Sequence, residues 1–227
     1  MKTKTLNRFV CSLGLTMLAG GGGVISGSAF AATERPAPRA EHEEGPHAHV
    51  LATGQTKCRD SNGTLISCRG TGQDGDFRAG AKLFYVSRPN GTIEDMNTGL
   101  SWEKKTATCG GDIHCVTEEY SWEDAFSTFI RVLNTEPCFA DHCDWRLPNV
   151  RELNSIVNYG NAIPAVSHVF NDCTNGSCTY PSFYWSSSSY VTATGSPSAW
   201  DVCLGHGYIH ASPKNVFNQV RAVRGGL

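Results

Sequence analysis

Hydrophobic residues recur at helical spacing in the middle of the chain, directly after Ser121. The apolar positions are Trp122, Ala125, Phe126, Phe129, Ile130 and Leu133. Their period matches one face of an α-helix. Serine is a favoured N-cap residue, and Asp124, three residues later, forms a near capping box with it. The pattern predicts a helix that begins after Ser121 and continues to Leu133.

A second helical pattern occupies the stretch DWRLPNVRELNSIV, residues 144–157. Asn149 is the predicted N-cap, and Glu152 three residues later completes a capping box. The apolar stripe is formed by Leu153, Ile156 and Val157. Gly160 is the expected C-terminal stop of this helix.

Elsewhere the hydrophobic period is two or irregular, and the segments are bounded by Gly, Pro and Asn, which is typical of short strands. The predicted strands are KLFYVS, GTIEDM, GLSWEK, SFYWSSS, SAWDVCL, GYIHAS and NQVRAVRGG. In SAWDVCL, alternation places Trp200, Val202 and Leu204 on one face. Two helices and a late run of antiparallel strands predict an α+β domain.

Arg146 lies between Trp145 and Leu147, directly before the second helix. A guanidinium in such surroundings is expected to be buried and paired, with Glu152 or the backbone carbonyls of the turn as acceptors. We therefore predict a structural role for Arg146. The other residues predicted to be structural are Trp145, Glu152, Trp185, Trp200, Arg221 and Arg224.

The first residues indicate export. Basic residues precede an apolar stretch that closes with SAFA, which is typical of a secretory signal peptide over 1–31. Residues 32–56 are rich in Pro, Ala and charge and predict a flexible leader. Residues 57–227 have the length of one domain. No later stretch is apolar for long enough to span a membrane, so the protein is predicted to be exported and not membrane-spanning.

Removal of the signal leaves 9 of the 10 cysteines, and export makes disulfides the expected state of closely spaced ones. The couples are Cys58 with Cys68, Cys109 with Cys115, Cys138 with Cys143, and Cys173 with Cys178. Sequence alone leaves their connectivity open. This pairing leaves Cys203 over.

The ordered motifs resemble the Lcl C-terminal domain family, named for a collagen-like bacterial adhesin. They are TGQTKCRDSNGTLISCRGTGQDGD, GTIEDMNTGLSWEK, YSWEDAF, DWRLPNVREL, FYWSSS, AWDV and VRAVRGG, spread from about Ala52 to Leu227. The resemblance implies a C-type-lectin-like fold, with a pair of helices against a twisted antiparallel sheet, and a non-catalytic binding module without a cofactor. The adhesin itself suggests sulfated polysaccharides as ligands.

The net charge of the predicted mature chain limits the classes of partner that it can bind. Three of the 19 Lys and Arg lie in the signal, which leaves 16 against 21 Asp and Glu, a net charge of −5. The basic surface that nucleic-acid binding requires is missing. A neutral glycan or a surface protein, met in the periplasm or at the cell surface, is the predicted partner. The alternative is a structural subunit of a surface assembly, tethered by the leader.

The binding hypothesis rests on the C-terminal loops, because aromatic faces cover the apolar side of a sugar ring while amides and hydroxyls bond its hydroxyl groups. The predicted ligand-binding residues are Tyr190, Tyr208, His210, Lys214, Asn215 and Asn218.

Several short segments carry residues that could bind a metal or act in catalysis. HEEGPHAHV, residues 42–50, could capture a metal, and zinc could bind CGGDIHC with CFADHC, but a solvated leader and disulfides are favoured instead. QDGD, residues 73–76, has a calcium-like composition. A thiol at Cys203 with His206 and His210 is the main seed for an enzyme. The serines of YWSSSSY and the pair Glu118 and Glu119 lack a nucleophile motif or a catalytic partner. We therefore predict neither a metal site nor a catalytic site.

Overall fold

The computed structural model describes residues 50–226. The predicted signal peptide and the leader up to residue 49, including its histidines, lie outside the described residues. Leu51 forms a parallel bridge with Ala81, and the Thr53 carbonyl accepts a hydrogen bond from the Tyr159 N–H at 2.8 Å. Hydrogen bonding to the domain therefore includes residues on the leader side of the predicted boundary at 57.

Short elements alternate with long loops along the described chain. In order they are β1 (Cys58–Arg59), β2 (Leu65–Ile66), α1 (Asp74–Phe77), β3 (Tyr85–Ser87), β4 (Thr92–Asp95), β5 (Leu100–Glu103), β6 (Glu119–Tyr120), α2 (Trp122–Asp124), a π-helix (Ala125–Ile130), α3 (Arg131–Leu133), α4 (Val150–Ser155), β7 (Phe183–Ser189), β8 (Ser198–Cys203), β9 (Tyr208–Pro213), β10 (Asn218–Gln219) and β11 (Val223–Gly225). Three 3-10 turns lie at Phe139–Asp141, His168–Phe170 and Cys173–Asn175.

The strands form three sheets. Five strands pair in the order β6-β10-β7-β8-β9, four pair in the order β11-β5-β4-β3, and β1 pairs with β2. The pairing is antiparallel except between β10 and β7, which are parallel. Each predicted strand overlaps an observed one, but NQVRAVRGG is split. Its first part, β10, joins the five-stranded sheet and its last part, β11, joins the four-stranded sheet.

The first predicted helix is present as one helical segment over 122–133, in which a π-helix separates α2 from α3. Ser121 caps it as predicted, because its Oγ accepts a hydrogen bond from the Asp124 N–H at 3.1 Å. A count of two helices is too simple for this chain, since the described residues also include the one-turn helix α1.

The second predicted helix is α4, and its capping box between Asn149 and Glu152 is confirmed. The predicted end at Gly160 is wrong, because α4 ends at Ser155. Val157 instead forms an antiparallel bridge with Val166. This backbone pairing draws the chain out of the helix before the glycine is reached.

Two hydrophobic clusters make up the core, and neighbouring residues of β7 divide between them. Tyr184 packs in the cluster with Trp102, Phe170 and Val202. Trp185 packs in the other, which lies under the 122–133 segment and includes Phe129. Because side chains alternate along a strand, β7 is buried on both faces, and its sheet is covered on both sides at this point.

A cluster of buried charges joins the two hydrophobic clusters. The carboxylate of Glu103 is 3.0 Å from Lys105 Nζ and also accepts a hydrogen bond from the Ala222 N–H at 3.0 Å. The guanidinium of Arg221 donates to the Glu103 carbonyl at 2.8 Å and to the Cys178 carbonyl at 2.6 Å. All three charged residues are fully buried. The predicted Arg221 is thus placed inside the protein, whereas Glu103 and Lys105 were not predicted.

Aromatic rings of both hydrophobic clusters face these cations. Lys105 Nζ lies 4.2 Å from the ring centre of Phe129, and the Arg221 guanidinium lies 5.5 Å from that of Phe170. Cation–π attraction of this kind strengthens when water is excluded. Burial by itself raises the pKa of Glu103, but Lys105 and His114 outweigh that effect and the pKa of the carboxyl is lowered.

Arg146 forms the predicted pair with Glu152. Its guanidinium donates to both carboxylate oxygens at 2.8 Å and to the Gly225 carbonyl at 3.0 Å. Glu152 also accepts the hydrogen bond from the Asn149 N–H that completes the capping box. The Arg146 side chain is 33% exposed, so the pair is less buried than the sequence suggested.

The remaining residues predicted as structural differ in burial. Trp145 and Trp185 are buried and donate their indole N–H groups to the carbonyls of Phe139 and Tyr120 at 2.8 and 2.9 Å. Trp200 is only half-buried and belongs to neither hydrophobic cluster of the described residues. On its face of β8, contact with the core begins two residues later, at Val202. Arg224 pairs at the surface with Asp144 at 2.7 Å.

The four predicted disulfides are confirmed. They join Cys58 to Cys68, Cys109 to Cys115, Cys138 to Cys143 and Cys173 to Cys178. Cys203 is buried and is not a free thiol. Its interpretation as a cysteine left over is therefore wrong.

Replacing Lys105 by alanine should lower the free energy of unfolding by about 3–5 kcal/mol, because it leaves the buried Glu103 carboxylate without the buried ammonium group that pairs with it. The matched control is Arg88→Ala. The Arg88–Glu94 pair is about 40% exposed on both sides, and because water screens it, its loss should cost much less than the loss of the buried pair. Urea unfolding of both variants measures the difference. Equal costs would show that the buried cluster contributes no more than a surface pair.

Replacing Arg146 by alanine should lower the free energy of unfolding by about 1–2 kcal/mol, since two charge-assisted hydrogen bonds are lost from a partly solvated site. Arg224→Ala is the control, because its partner Asp144 is 57% exposed and its pair should contribute less. Thermal melts of both variants test this order. An Arg146→Ala variant that melts with the wild type would contradict the structural role.

Candidate functional site

Three rings lie side by side on one face of the five-stranded sheet. The ring centre of Phe183 is 5.9 Å from that of Tyr208 and 5.3 Å from that of His210. Phe183 and Tyr208 are half-buried and His210 is exposed. We call these three residues the aromatic patch.

Strand register brings the patch together. Phe183 of β7 is opposite Cys203 of β8, which is opposite Tyr208 of β9, so the two rings flank one buried position. The β8–β9 turn ends at Gly207, whose φ is +83°. A Cβ at Gly207 would lie 2.7 Å from Val157 Cγ1, so glycine is required both for the turn and for its close approach to the core.

A buried carboxyl lies beneath the patch. Asp201 is opposite His210 in the β8–β9 register and is fully buried. Its Oδ2 accepts a hydrogen bond from Asn218 Nδ2 at 3.3 Å, and its Oδ1 lies 3.4 Å from His210 Nδ1. Burial raises the pKa of Asp201, and Ser212, His210 and Asn218 offset that effect only in part.

Two of the six predicted ligand residues, Tyr208 and His210, belong to the patch, and a third, Asn218, lies beneath it. Tyr208 and His210 reach the surface, but Asn218 is buried and holds Asp201. Asn218 is therefore a support of the patch and not a group that a ligand can touch. Sequence reasoning missed Phe183 and Asp201, because only the β7–β8–β9 register shows that they lie next to Tyr208 and His210.

The other predicted ligand residues lie at the opposite end of the β8–β9 hairpin. Lys214 Nζ is 3.9 Å from the ring centre of Trp122 and donates to Ser189 Oγ at 3.0 Å. Tyr190 packs edge-to-face on Trp200 at 4.9 Å. Asn215, next to Lys214, is exposed. The structure thus separates the predicted set into two groups, and the ammonium group of Lys214 is already engaged.

A comparison with protein-family models matches residues 91–224 to the Lcl C-terminal domain. The chain belongs to the Lcl C-terminal domain family. The match covers more than half of the chain and includes the aromatic patch and the buried charge cluster. Neither the curated proteins nor the solved structures compared with the chain provide a match.

The cysteines of this Lcl C-terminal domain are not arranged for a metal. Within residues 50–226, one group of three metal-ligating side chains is close enough to share an ion: Glu136, Cys138 and Cys143. The two cysteines are joined to each other in a disulfide. The His114 ring binds Glu103 at 2.7 Å. The zinc alternative is therefore not supported.

The carboxylates of QDGD serve the local loop. Asp74 accepts a hydrogen bond from the Thr53 hydroxyl, and Asp76 accepts one from the Gly70 N–H at 2.9 Å.

None of the helices in the described residues is long and apolar enough to cross a membrane.

Ser212, His210 and Asp201 of the Lcl C-terminal domain do not form a hydrolase triad. Ser212 Oγ lies 3.3 Å from His210 Nδ1, and this is the same nitrogen that approaches Asp201. A triad needs the serine and the acid on opposite nitrogens of the ring. Their convergence on Nδ1 instead fixes the orientation of the imidazole.

Proposed function

We propose that this Lcl C-terminal domain is an exported, non-catalytic binding module of the bacterial surface or periplasm that recognises a neutral glycan through the aromatic patch. The adjacency of Phe183, Tyr208 and His210 carries this proposal. Rings of this kind cover the apolar face of a sugar, and the imidazole supplies a polar group beside them. Short helices against antiparallel sheets accord with a C-type-lectin-like arrangement, which we propose as part of the same hypothesis.

Disulfides support export, because they persist in oxidising compartments. The four disulfides of the described chain close local loops at four separate places. Membership in a family named for an adhesin supports a surface role.

The charges around the patch favour a neutral ligand over a polyanion. The closest charged group to His210 is the carboxyl of Asp201, and any positive charge on the imidazole is balanced by that acid. Lys214 is held over Trp122. Arg221 is buried and Arg224 is paired with Asp144, so neither contributes a free cation.

Replacing Tyr208 by alanine should weaken binding to a neutral glycan at least tenfold, because the loss of a stacking ring removes both apolar contact and shape. The test is an array of neutral and sulfated glycans probed with the wild type and with this variant. Phe77→Ala is the control, because Phe77 is 71% exposed and lies in α1. Binding should change little with ionic strength.

Two outcomes would contradict the proposal. One is tight heparin binding that disappears in moderate salt while Tyr208→Ala has no effect, since that pattern belongs to a cationic surface. The other is equal loss of binding in Phe77→Ala and Tyr208→Ala. If the protein binds no glycan but forms oligomers or co-purifies with surface proteins, the structural-subunit alternative would be favoured.

A further inference from the structure

The ring of His210 uses one nitrogen inside the protein. Nδ1 lies 3.4 Å from Asp201 Oδ1 and 3.3 Å from Ser212 Oγ, and the ring packs on Phe183. No hydrogen bond from residues 50–226 reaches Nε2. The His210 side chain is 50% exposed, so the second nitrogen is the one that a ligand on the patch can meet.

The buried acid lacks a donor of its own. Asp201 is fully buried, and its Oδ1 has no hydrogen-bond donor with full geometry among the described residues. A buried oxygen without a donor is costly. Nδ1–H of His210, 3.4 Å from this oxygen, can supply one, and the hydroxyl of Ser212 is the other donor group that interacts with the acid. The Ser212 hydroxyl accommodates this state, because a hydroxyl can accept as well as donate.

The partner of one imidazole nitrogen determines the role of the other. We propose that neutral His210 carries its proton on Nδ1, held there by Asp201, and presents Nε2 to the ligand as a hydrogen-bond acceptor. The ligand must then supply an O–H or N–H group at this point, as a sugar hydroxyl or an acetamido group does. Asp201 is a positioning residue. This inference deepens the proposed function by naming the ligand chemistry that His210 selects.

In the neutral state of His210, the same geometry discriminates against anions. A sulfate ester or a carboxylate has oxygen acceptors and no proton to donate, so its lone pairs would meet the lone pair of Nε2. A polar group of the site that is left without a complementary partner in the complex rejects a ligand more strongly than a missing apolar contact does. His210 therefore distinguishes hydroxyl groups from sulfate groups.

The tautomer can be measured without a ligand. Long-range ¹H–¹⁵N correlation spectra of the exported chain, labelled with ¹⁵N-histidine and recorded where the imidazoles are neutral, distinguish Nδ1–H from Nε2–H. We expect the Nδ1–H form at His210. His168 is the internal control, because it is exposed and no hydrogen bond from residues 50–226 reaches its ring nitrogens; it should show the Nε2–H form.

Two variants test whether Asp201 determines the tautomer of His210. Asp201→Asn should move His210 toward the Nε2–H form, because an amide is a weaker acceptor than the acid, whereas Ser212→Ala should leave Nδ1–H in place. A wild-type His210 in the Nε2–H form would overturn the inference. A folded Asp201→Asn variant with an unchanged tautomer would overturn it as well.

A binding measurement separates this inference from the proposed function. On the neutral-glycan array, His210→Phe keeps a ring but removes the acceptor, and we expect about tenfold weaker binding. If Tyr208→Ala loses binding and His210→Phe does not, the acceptor role is wrong while the proposed function stands. If the wild type binds no glycan, the proposed function fails, and the tautomer spectra alone decide the acceptor inference.

Discussion

The ion pair between Glu103 and Lys105, closed by Arg221, is the interaction on which the rest of the structure depends. Taking charges out of water is expensive, and only partners at hydrogen-bond distance make it tolerable. Glu103 binds the backbone of Ala222, and Arg221 binds the carbonyls of Glu103 and Cys178. The charges thus tie β5, the last segment of the chain and the Cys173–Cys178 loop to one point.

The buried charge cluster also determines the direction of the last segment of the chain, residues 218–225. Between β10 and β11 the chain crosses from one sheet to the other, with Arg221 buried at the crossing. Lys105 faces a ring of one hydrophobic cluster and Arg221 faces a ring of the other. A shift of the last segment by one residue would take the Arg221 guanidinium away from the carbonyls of Glu103 and Cys178. The charge cluster therefore fixes the register that holds the two sheets together.

The aromatic patch is built on this frame and not on a free loop. Its residues come from β7 and β9, and β7 is buried on both faces by Tyr184 and Trp185. Asp201 and Asn218 lie under the patch as a buried polar pair. A site on paired strands keeps its rings at fixed spacing, which suits recognition of a ligand with a defined shape. The long loops between the strands are then available to vary without moving the patch.

Local chemistry in the sequence determined the elements whose stabilising contacts lie close along the chain. The caps at Ser121 and Asn149, the Arg146–Glu152 pair and the four close disulfides all join residues near one another, so their spacing in the sequence indicated them before the structure confirmed them. Tertiary structure decided the rest. The end of α4 depends on the backbone pairing of Val157 with Val166, and the division of β10 from β11 depends on strands distant in sequence. The patch depends on them too, because Phe183 meets Tyr208 and Asp201 meets His210 only through strand register, which no local pattern encodes.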